Sequence, residues 1–101
     1  MAKAENLAIL YVTCNKISFI PKGIFRHGGI VNLDLSTNHI TWLPEMRLKR
    51  LMYFDIINNS LAALPESLCK QKYIVQLTVD GNLLKSLPPN IGNLGNTLNF
   101  F

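Results

Sequence analysis

The residues able to perform catalytic or metal chemistry are few in this 101-residue chain. Its two histidines, His27 and His39, have no cysteine at metal-ligand spacing, and its two cysteines, Cys14 and Cys69, form no Cys-x-x-Cys motif. The serines lack a nearby histidine–aspartate partner, and no glycine-rich phosphate loop precedes a helix. We therefore predict that the chain is not an enzyme and uses neither a metal nor a cofactor.

Asparagine is the polar residue that recurs at a fixed position within a repeated pattern of apolar residues. The pattern L-x-x-L-x-L-x-x-N-x-L-x-x-L-P occurs four times, starting at Leu7, Ile30, Leu51 and Ile74. The starts are 23, 21 and 23 residues apart, and a fifth unit begins at Leu98. Self-similarity at such a period indicates a solenoid, in which each unit covers its neighbours.

Each unit begins with a segment that alternates between apolar and polar residues, as a half-buried strand does. Because successive strands are roughly 20 residues apart, they cannot form hairpins and must run parallel with right-handed connections. We expect Ile24, Leu68 and Ile91, each three residues after a proline, to close the core from the convex side. The second unit is two residues shorter, so we expect an irregular connection there, with Met46 or Leu48 in that role.

The four recurring asparagines are predicted to be structural. An inward turn leaves backbone N–H and C=O groups that water cannot reach, and an asparagine side chain carries donors and an acceptor for both kinds of group. Each is expected to bond the backbone of its own turn and the next, forming a ladder. These residues are Asn15, Asn38, Asn59 and Asn82.

The repeat pattern resembles that of leucine-rich repeat proteins from Leu7 to Phe101. Its Leu-Pro step is similar to repeats of intracellular scaffolds, such as the Ras-pathway and Scribble-type proteins, and also occurs in extracellular receptors. The resemblance implies an α/β solenoid with a curved parallel β-sheet on its concave face and short helical or irregular convex segments. We predict a single domain, 1–101, with repeats at about 7–29, 30–50, 51–73 and 74–97 and a partial fifth from 98. We also expect it to be a fragment of a longer array.

The strand residues that point away from the core are predicted to form the partner-binding surface, since solenoids commonly bind through their concavity. They fall into three columns: Ile9, Asn32, Tyr53 and Gln76; then Tyr11, Asp34, Asp55 and Thr78; then Thr13, Ser36, Ile57 and Asp80. Phe100 would extend the first column if the fifth strand forms. Phe19 and Trp42 occupy equivalent places after the turns of the first two repeats, and we expect them to stack there.

Charge is distributed unevenly over these columns although the formal net charge of the chain is +4. Three of the six acidic residues fall on the columns and none of the ten Lys and Arg residues do. We therefore predict a partner protein that presents Lys or Arg beside an apolar residue. Because the basic residues are scattered, without interleaved aromatics, we predict no nucleic-acid binding. No run of about 20 apolar residues exists, so we predict no membrane insertion.

The favoured interpretation is a cytoplasmic protein–protein interaction module whose solenoid ends are covered by further repeats or by a partner. One alternative is the substrate-recognition or targeting part of an enzyme complex, such as a ubiquitin ligase. Another is a fragment of an extracellular receptor ectodomain, which predicts disulfide-bonded caps and a signal peptide. Neither feature is evident in the sequence.

Overall fold

The computed structural model describes residues 9–21, 23–26 and 28–94. Four strands of three residues each form one parallel sheet, and their order in the sheet is their order in the chain. The strands are β1 (Ile9–Tyr11), β2 (Asn32–Asp34), β3 (Tyr53–Asp55) and β4 (Gln76–Thr78). The predicted parallel solenoid sheet is confirmed.

The register of the sheet places equivalent repeat positions beside one another. Ile9 pairs with Asn32, which pairs with Tyr53, which pairs with Gln76. The pairing continues beyond the short strands, because the N–H groups at the end of each strand donate to carbonyls of the following repeat, as Val12 does to Asp34 over 2.8 Å. Each repeat is therefore bonded along its whole leading segment to the repeat that follows it.

The alternating apolar residues of the strands make the core, as predicted. The inward residues of the second, third and fourth repeats are buried: Leu33, Leu35, Phe54, Ile56, Leu77 and Val79. In the first repeat, Leu10 and Val12 are only half-buried. Among the described residues the first repeat has a neighbouring repeat on one side only, whereas the second and third repeats have one on each side.

The convex side of the solenoid consists of short 3₁₀ turns rather than α-helices. They span Ile24–Arg26, Glu66–Lys70 and Ile91–Leu94. Leu68 is fully buried beneath its turn, while Ile24 and Ile91 are partly buried against the core. In the first repeat Phe25 is also buried, and its ring meets that of Phe54 edge-on, with 6.1 Å between the ring centroids.

The shortened second repeat crosses the convex side as an extended strap, in agreement with the predicted irregular connection. Both Met46 and Leu48 are buried. The strap is bonded on both sides: the Met46 N–H donates to Ser67 Oγ over 2.9 Å, and the Arg47 N–H donates to the Phe25 carbonyl over 2.7 Å. These bonds replace the internal bonds of a helical turn and satisfy the backbone of a segment that has no turn of its own.

Some sequence predictions lie outside the described residues. They include the fifth repeat from 98, with Phe100, and the first apolar position of the first repeat, Leu7. His27 also lies outside them.

Candidate functional site

The turns that follow β2, β3 and β4 each hold an asparagine whose side chain is bonded to two repeats at once. Asn38 accepts hydrogen bonds at Oδ1 from the N–H groups of Asn15 (3.0 Å) and Ile17 (3.2 Å). Its Nδ2 donates to the carbonyls of Val12 (2.6 Å) and Leu35 (3.0 Å). The side chain therefore satisfies inward backbone groups of its own turn and of the neighbouring turn.

Asn59 and Asn82 repeat this arrangement. Asn59 accepts from the Ile40 N–H (3.1 Å), and Asn82 accepts from the Leu61 N–H (3.0 Å). The bonds between repeats run to the preceding turn, whereas the sequence prediction placed them on the next turn. Asn15 differs from the others, because it is exposed and the bond that its side chain makes to the described residues lies inside its own turn, from Nδ2 to the Thr13 carbonyl over 2.6 Å.

The residue before each ladder asparagine has a left-handed backbone, a feature that the sequence prediction missed. The φ angles are 58° at Cys14, 57° at Thr37, 58° at Asn58 and 75° at Gly81. Glycine and asparagine tolerate this conformation, whereas a β-branched threonine is strained in it. A Cβ placed on Gly81 would overlap the Oδ1 of Asn58 in the neighbouring turn, so a larger residue here would require the Asn58 side chain to move.

The sheet brings the residues of the predicted binding columns onto one face. Its register pairs Tyr11 with Asp34, Asp34 with Asp55, and Asp55 with Thr78. A depression of about 220 Å³ lies on this face. Seven predicted site residues line it: Tyr11, Asn32, Asp34, Tyr53, Asp55, Gln76 and Thr78. The other five predicted site residues do not line it: Ile9, Thr13, Ser36, Ile57 and Asp80.

The members of the columns differ in how much surface they offer. Tyr11 is 63% exposed, Ile9 is 50% exposed and Tyr53 is 39% exposed, so these three supply large apolar contact area. Thr78 is buried, contrary to the expectation of an exposed column residue. Asp34 and Asp55 are half-buried.

Hydrogen bonds from the backbone orient two aspartates of the concave face, a feature that was not predicted from the sequence. One carboxylate oxygen of Asp34 accepts the Ser36 N–H over 3.0 Å. Asp55 accepts the Ile57 N–H over 3.0 Å in the same way. Each bond spans two residues, as in an Asx-turn, and fixes the side chain at the end of its strand. Each of these bonds uses one oxygen of its carboxylate.

The aromatic pair expected on the turns does not form. Phe19 and Trp42 are 61% and 55% exposed, and the ring contact found in the described part of the chain is that of Phe25 with Phe54. Phe19 and Trp42 therefore present two separate rings to solvent.

The described residues include both cysteines of the chain. Cys14 is exposed and Cys69 is buried, and both are free thiols. Burial, and secondarily the negative charge of Glu66, raises the pKa of the Cys69 thiol. No three His, Cys, Asp or Glu side chains of the described ranges are grouped so that they could hold a metal ion. Of the helices that the structure describes, none has the length and apolar character needed to cross a bilayer.

Comparison with known proteins identifies relatives of this chain, although no protein-family model matches it. It is 33% identical over 98 residues to the volume-regulated anion channel subunit LRRC8D of Rattus norvegicus, an alignment that covers 93% of this chain and 11% of the channel subunit. It is 30% identical over 97 residues to osteomodulin of Bos taurus, covering 92% of this chain and 23% of osteomodulin. The chain thus spans less than a quarter of these relatives' length.

Solved structures show the same architecture. A leucine-rich repeat protein of Leptospira interrogans superposes with a TM-score of 0.80 and 29% sequence identity, covering 94% of this chain and 25% of that protein. Together with the four-stranded parallel sheet and the asparagine ladder, this likeness assigns the fold. The chain is a leucine-rich repeat protein. Membership of this class supports a general role as a protein-interaction module.

Proposed function

We propose that this protein binds a segment of a partner protein on its concave face, and that the segment carries Lys or Arg beside an apolar side chain. The observation that carries the proposal is the pair Asp34 and Asp55, which are neighbours in register on two adjacent strands. Tyr11 stands next to Asp34 on β1, and Tyr53 shares a strand with Asp55.

The paired carboxylates favour a cation from outside the chain. Adjacent strands lie about 4.8 Å apart, and like charges directly opposite each other on such strands are destabilising. The ion pair found among the described residues is Arg47 with Glu45, on the convex side, so neither aspartate is neutralised by a described cation. A guanidinium group placed between Asp34 and Asp55 would donate hydrogen bonds to both carboxylates from its planar array of N–H groups.

The tyrosines favour an apolar residue beside that cation. Exposed aromatic side chains among polar groups are typical of the residues that dominate protein–protein binding energy. The depression of about 220 Å³ is smaller than the roughly 300–1,000 Å³ typical of small-molecule sites. Its size therefore suits one or two side chains of a peptide segment laid across the sheet.

We propose that the chain is a cytoplasmic binding module and that it has no catalytic activity. The free thiols of Cys14 and Cys69 support that location, because reducing compartments keep cysteines unpaired. A ligase targeting subunit or a receptor ectodomain would use the same surface, so the proposed contact does not depend on which larger assembly contains it. Half-buried and exposed apolar residues of the outer repeats, such as Val12 and Leu87, support cover by further repeats or by a partner.

The test is fluorescence-anisotropy titration with a labelled peptide in which Arg stands between leucines, and with a matched peptide in which Gln replaces the Arg. We expect Tyr11→Ala and Tyr53→Ala each to weaken binding of the Arg peptide by about 1 kcal/mol, roughly fivefold. Tyr73→Ala is the matched control, because Tyr73 is 60% exposed but lies outside the three columns. Equal binding of the two peptides, or equal loss in all three variants, would refute the proposal.

A further inference from the structure

A second groove lies at the N-terminal ends of the strands. Its volume is about 670 Å³, larger than that of the concave depression. Its apolar lining includes one residue from directly before each of three strands: Val31, Met52 and Val75. Tyr73, 60% exposed, also lines it.

The backbone beneath this groove is already hydrogen-bonded. The Val31 carbonyl accepts the N–H groups of Met52 (2.8 Å) and Tyr53 (3.1 Å). The Met52 carbonyl accepts those of Val75 (2.9 Å) and Gln76 (3.1 Å). A guest in the groove would therefore meet half-buried apolar side chains at these positions, rather than the open edge of a sheet.

The polar lining of the groove is cationic. Lys49, Arg50 and Lys72 line it, and Lys70 lines an adjoining hollow of about 320 Å³ together with Tyr73. All four cationic side chains are exposed. Lys49, Arg50 and Lys72 belong to the connections that return the chain from the convex side to the next strand, and Lys70 is the last residue of the 3₁₀ turn Glu66–Lys70.

The described carboxylates are engaged or located elsewhere. Glu45 pairs with Arg47 at 3.2 Å, and Glu66 accepts Asn90 Nδ2 at 2.6 Å. The three aspartates stand at the far ends of the strands, each bonded to a nearby backbone N–H. Within the described ranges, the cations of the groove therefore have no carboxylate partner.

We propose that this groove binds an acidic segment of a partner protein, in which an apolar side chain is flanked by Glu or Asp. The apolar side chain would pack on Met52 and against Tyr73. Its neighbouring carboxylates would meet Arg50 and Lys72, where an arginine can hold a carboxylate through two parallel hydrogen bonds. This site is separate from the concave depression, and its ligand has the opposite charge.

The combination of linings favours a peptide over a nucleic acid. Four cations around an apolar surface give charge complementarity to a few carboxylates, whereas a nucleic-acid groove presents a longer basic stripe with several aromatic platforms. A second copy of this chain would offer its own carboxylates, among them the aspartates of its concave face. Both occupants are therefore outcomes that the experiment must distinguish.

The experiment titrates the whole chain with a fluorescein-labelled peptide of alternating Glu and Leu, and with a matched peptide in which Gln replaces Glu. Arg50→Glu combined with Lys72→Glu is expected to weaken binding of the acidic peptide at least roughly tenfold. The control variant combines Lys16→Glu with Lys85→Glu, which changes the net charge by the same amount. Both lysines follow ladder asparagines and do not line the groove, so this variant should bind the acidic peptide as the parent chain does.

The apolar contact is tested with a pair of tyrosines that are equally exposed. Tyr73→Ala should weaken the acidic peptide several-fold, and Tyr11→Ala, on the concave face, should leave it unchanged. The two variants should behave in the reverse manner towards the Arg peptide, so failure of one site is distinguishable from failure of the other. Thermal melts followed by circular dichroism confirm that each variant is folded.

Several results would overturn the proposal. One is the absence of saturable binding by the acidic peptide, and another is an equal loss in both double charge variants, which would indicate unspecific attraction. Tighter binding of a fluorescein-labelled oligothymidylate, lost in Arg50→Glu with Lys72→Glu, would assign the groove to nucleic acid. Concentration-dependent dimers in sedimentation equilibrium that the same variant abolishes would assign it to a second copy.

Discussion

Replacing Asn59 with alanine tests the asparagine ladder at its centre. The Asn59 side chain is buried and makes four hydrogen bonds. Its Oδ1 accepts the Ile40 N–H over 3.1 Å, and Ile40 is completely buried. In Asn59→Ala that N–H loses its partner, because the structure gives it no second acceptor.

The loss of stability in Asn59→Ala depends on which backbone groups keep a hydrogen-bond partner. The three carbonyls that accept from Asn59 Nδ2 each retain another donor: Asn38 Nδ2 for Leu35 (3.0 Å), Asn82 Nδ2 for Ile56 (2.8 Å), and the Thr37 N–H for Ile57 (2.8 Å). The orphaned Ile40 N–H costs about 1–3 kcal/mol, and the lost side-chain bonds add roughly 1 kcal/mol. We expect the free energy of unfolding to fall by about 2–4 kcal/mol.

Urea unfolding followed by circular dichroism measures this difference. The matched control is Asn15→Ala, the same substitution at the same repeat position, where the side chain is exposed and its bond to the described residues lies within its own turn. Asn90→Ala, which removes an exposed bond to Glu66, is a second control. Each control should cost less than about 1 kcal/mol. Equal midpoints for Asn59→Ala and the two controls would refute the ladder as a source of stability.

Three further outcomes concern the turns and the thiols. Gly81→Ala should lower the free energy of unfolding by about 1–2 kcal/mol or more, since alanine is strained at φ 75° and its Cβ overlaps Asn58; an unchanged urea midpoint would contradict this. Thr37→Asn should raise the free energy of unfolding by up to about 1 kcal/mol, because asparagine tolerates the left-handed conformation; a decrease would show that strain is absent there. A thiol reagent at neutral pH should modify Cys14 quickly and Cys69 slowly, because burial raises the pKa of Cys69 and shields it; equal rates would contradict its burial.

The sequence was sufficient for the features that depend on periodicity. The alternation in the strands predicted the buried pairs such as Leu33 with Leu35, and the repeat spacing predicted which column residues stand side by side, as Asp34 and Asp55 do. Both follow because a parallel solenoid forces equivalent positions into register. The short second repeat also predicted its own irregular path, since too few residues remain for a helical turn.

The features that depend on contacts between particular side chains and the backbone were not predictable. The left-handed conformation of Thr37 runs against the preference of threonine, and only the closure of the turn by the repeat imposes it. Burial of Thr78 depends on how its own repeat packs. The grouping of Arg50 with Lys72 arises because two return connections of different length end side by side, which residue spacing within one repeat does not reveal.

The backbone bonds of the aspartates refine how the binding face should be tested. Reversing the charges with Asp34→Lys and Asp55→Lys also removes the acceptors for the N–H groups of Ser36 and Ile57, so some loss of stability is expected as well. Asp34→Asn with Asp55→Asn removes both charges while retaining an oxygen that can accept each N–H. The asparagine pair therefore isolates the contribution of charge.

The most direct measurement is the affinity of the labelled Arg peptide for the parent chain, the asparagine pair and the lysine pair at low and high salt. We expect the affinity to fall in the asparagine pair and to disappear in the lysine pair. It should depend on salt most steeply in the parent chain, since the two aspartates attract the cation. If the folded lysine pair binds the Arg peptide as tightly as the parent chain does, Asp34 and Asp55 do not form the binding site.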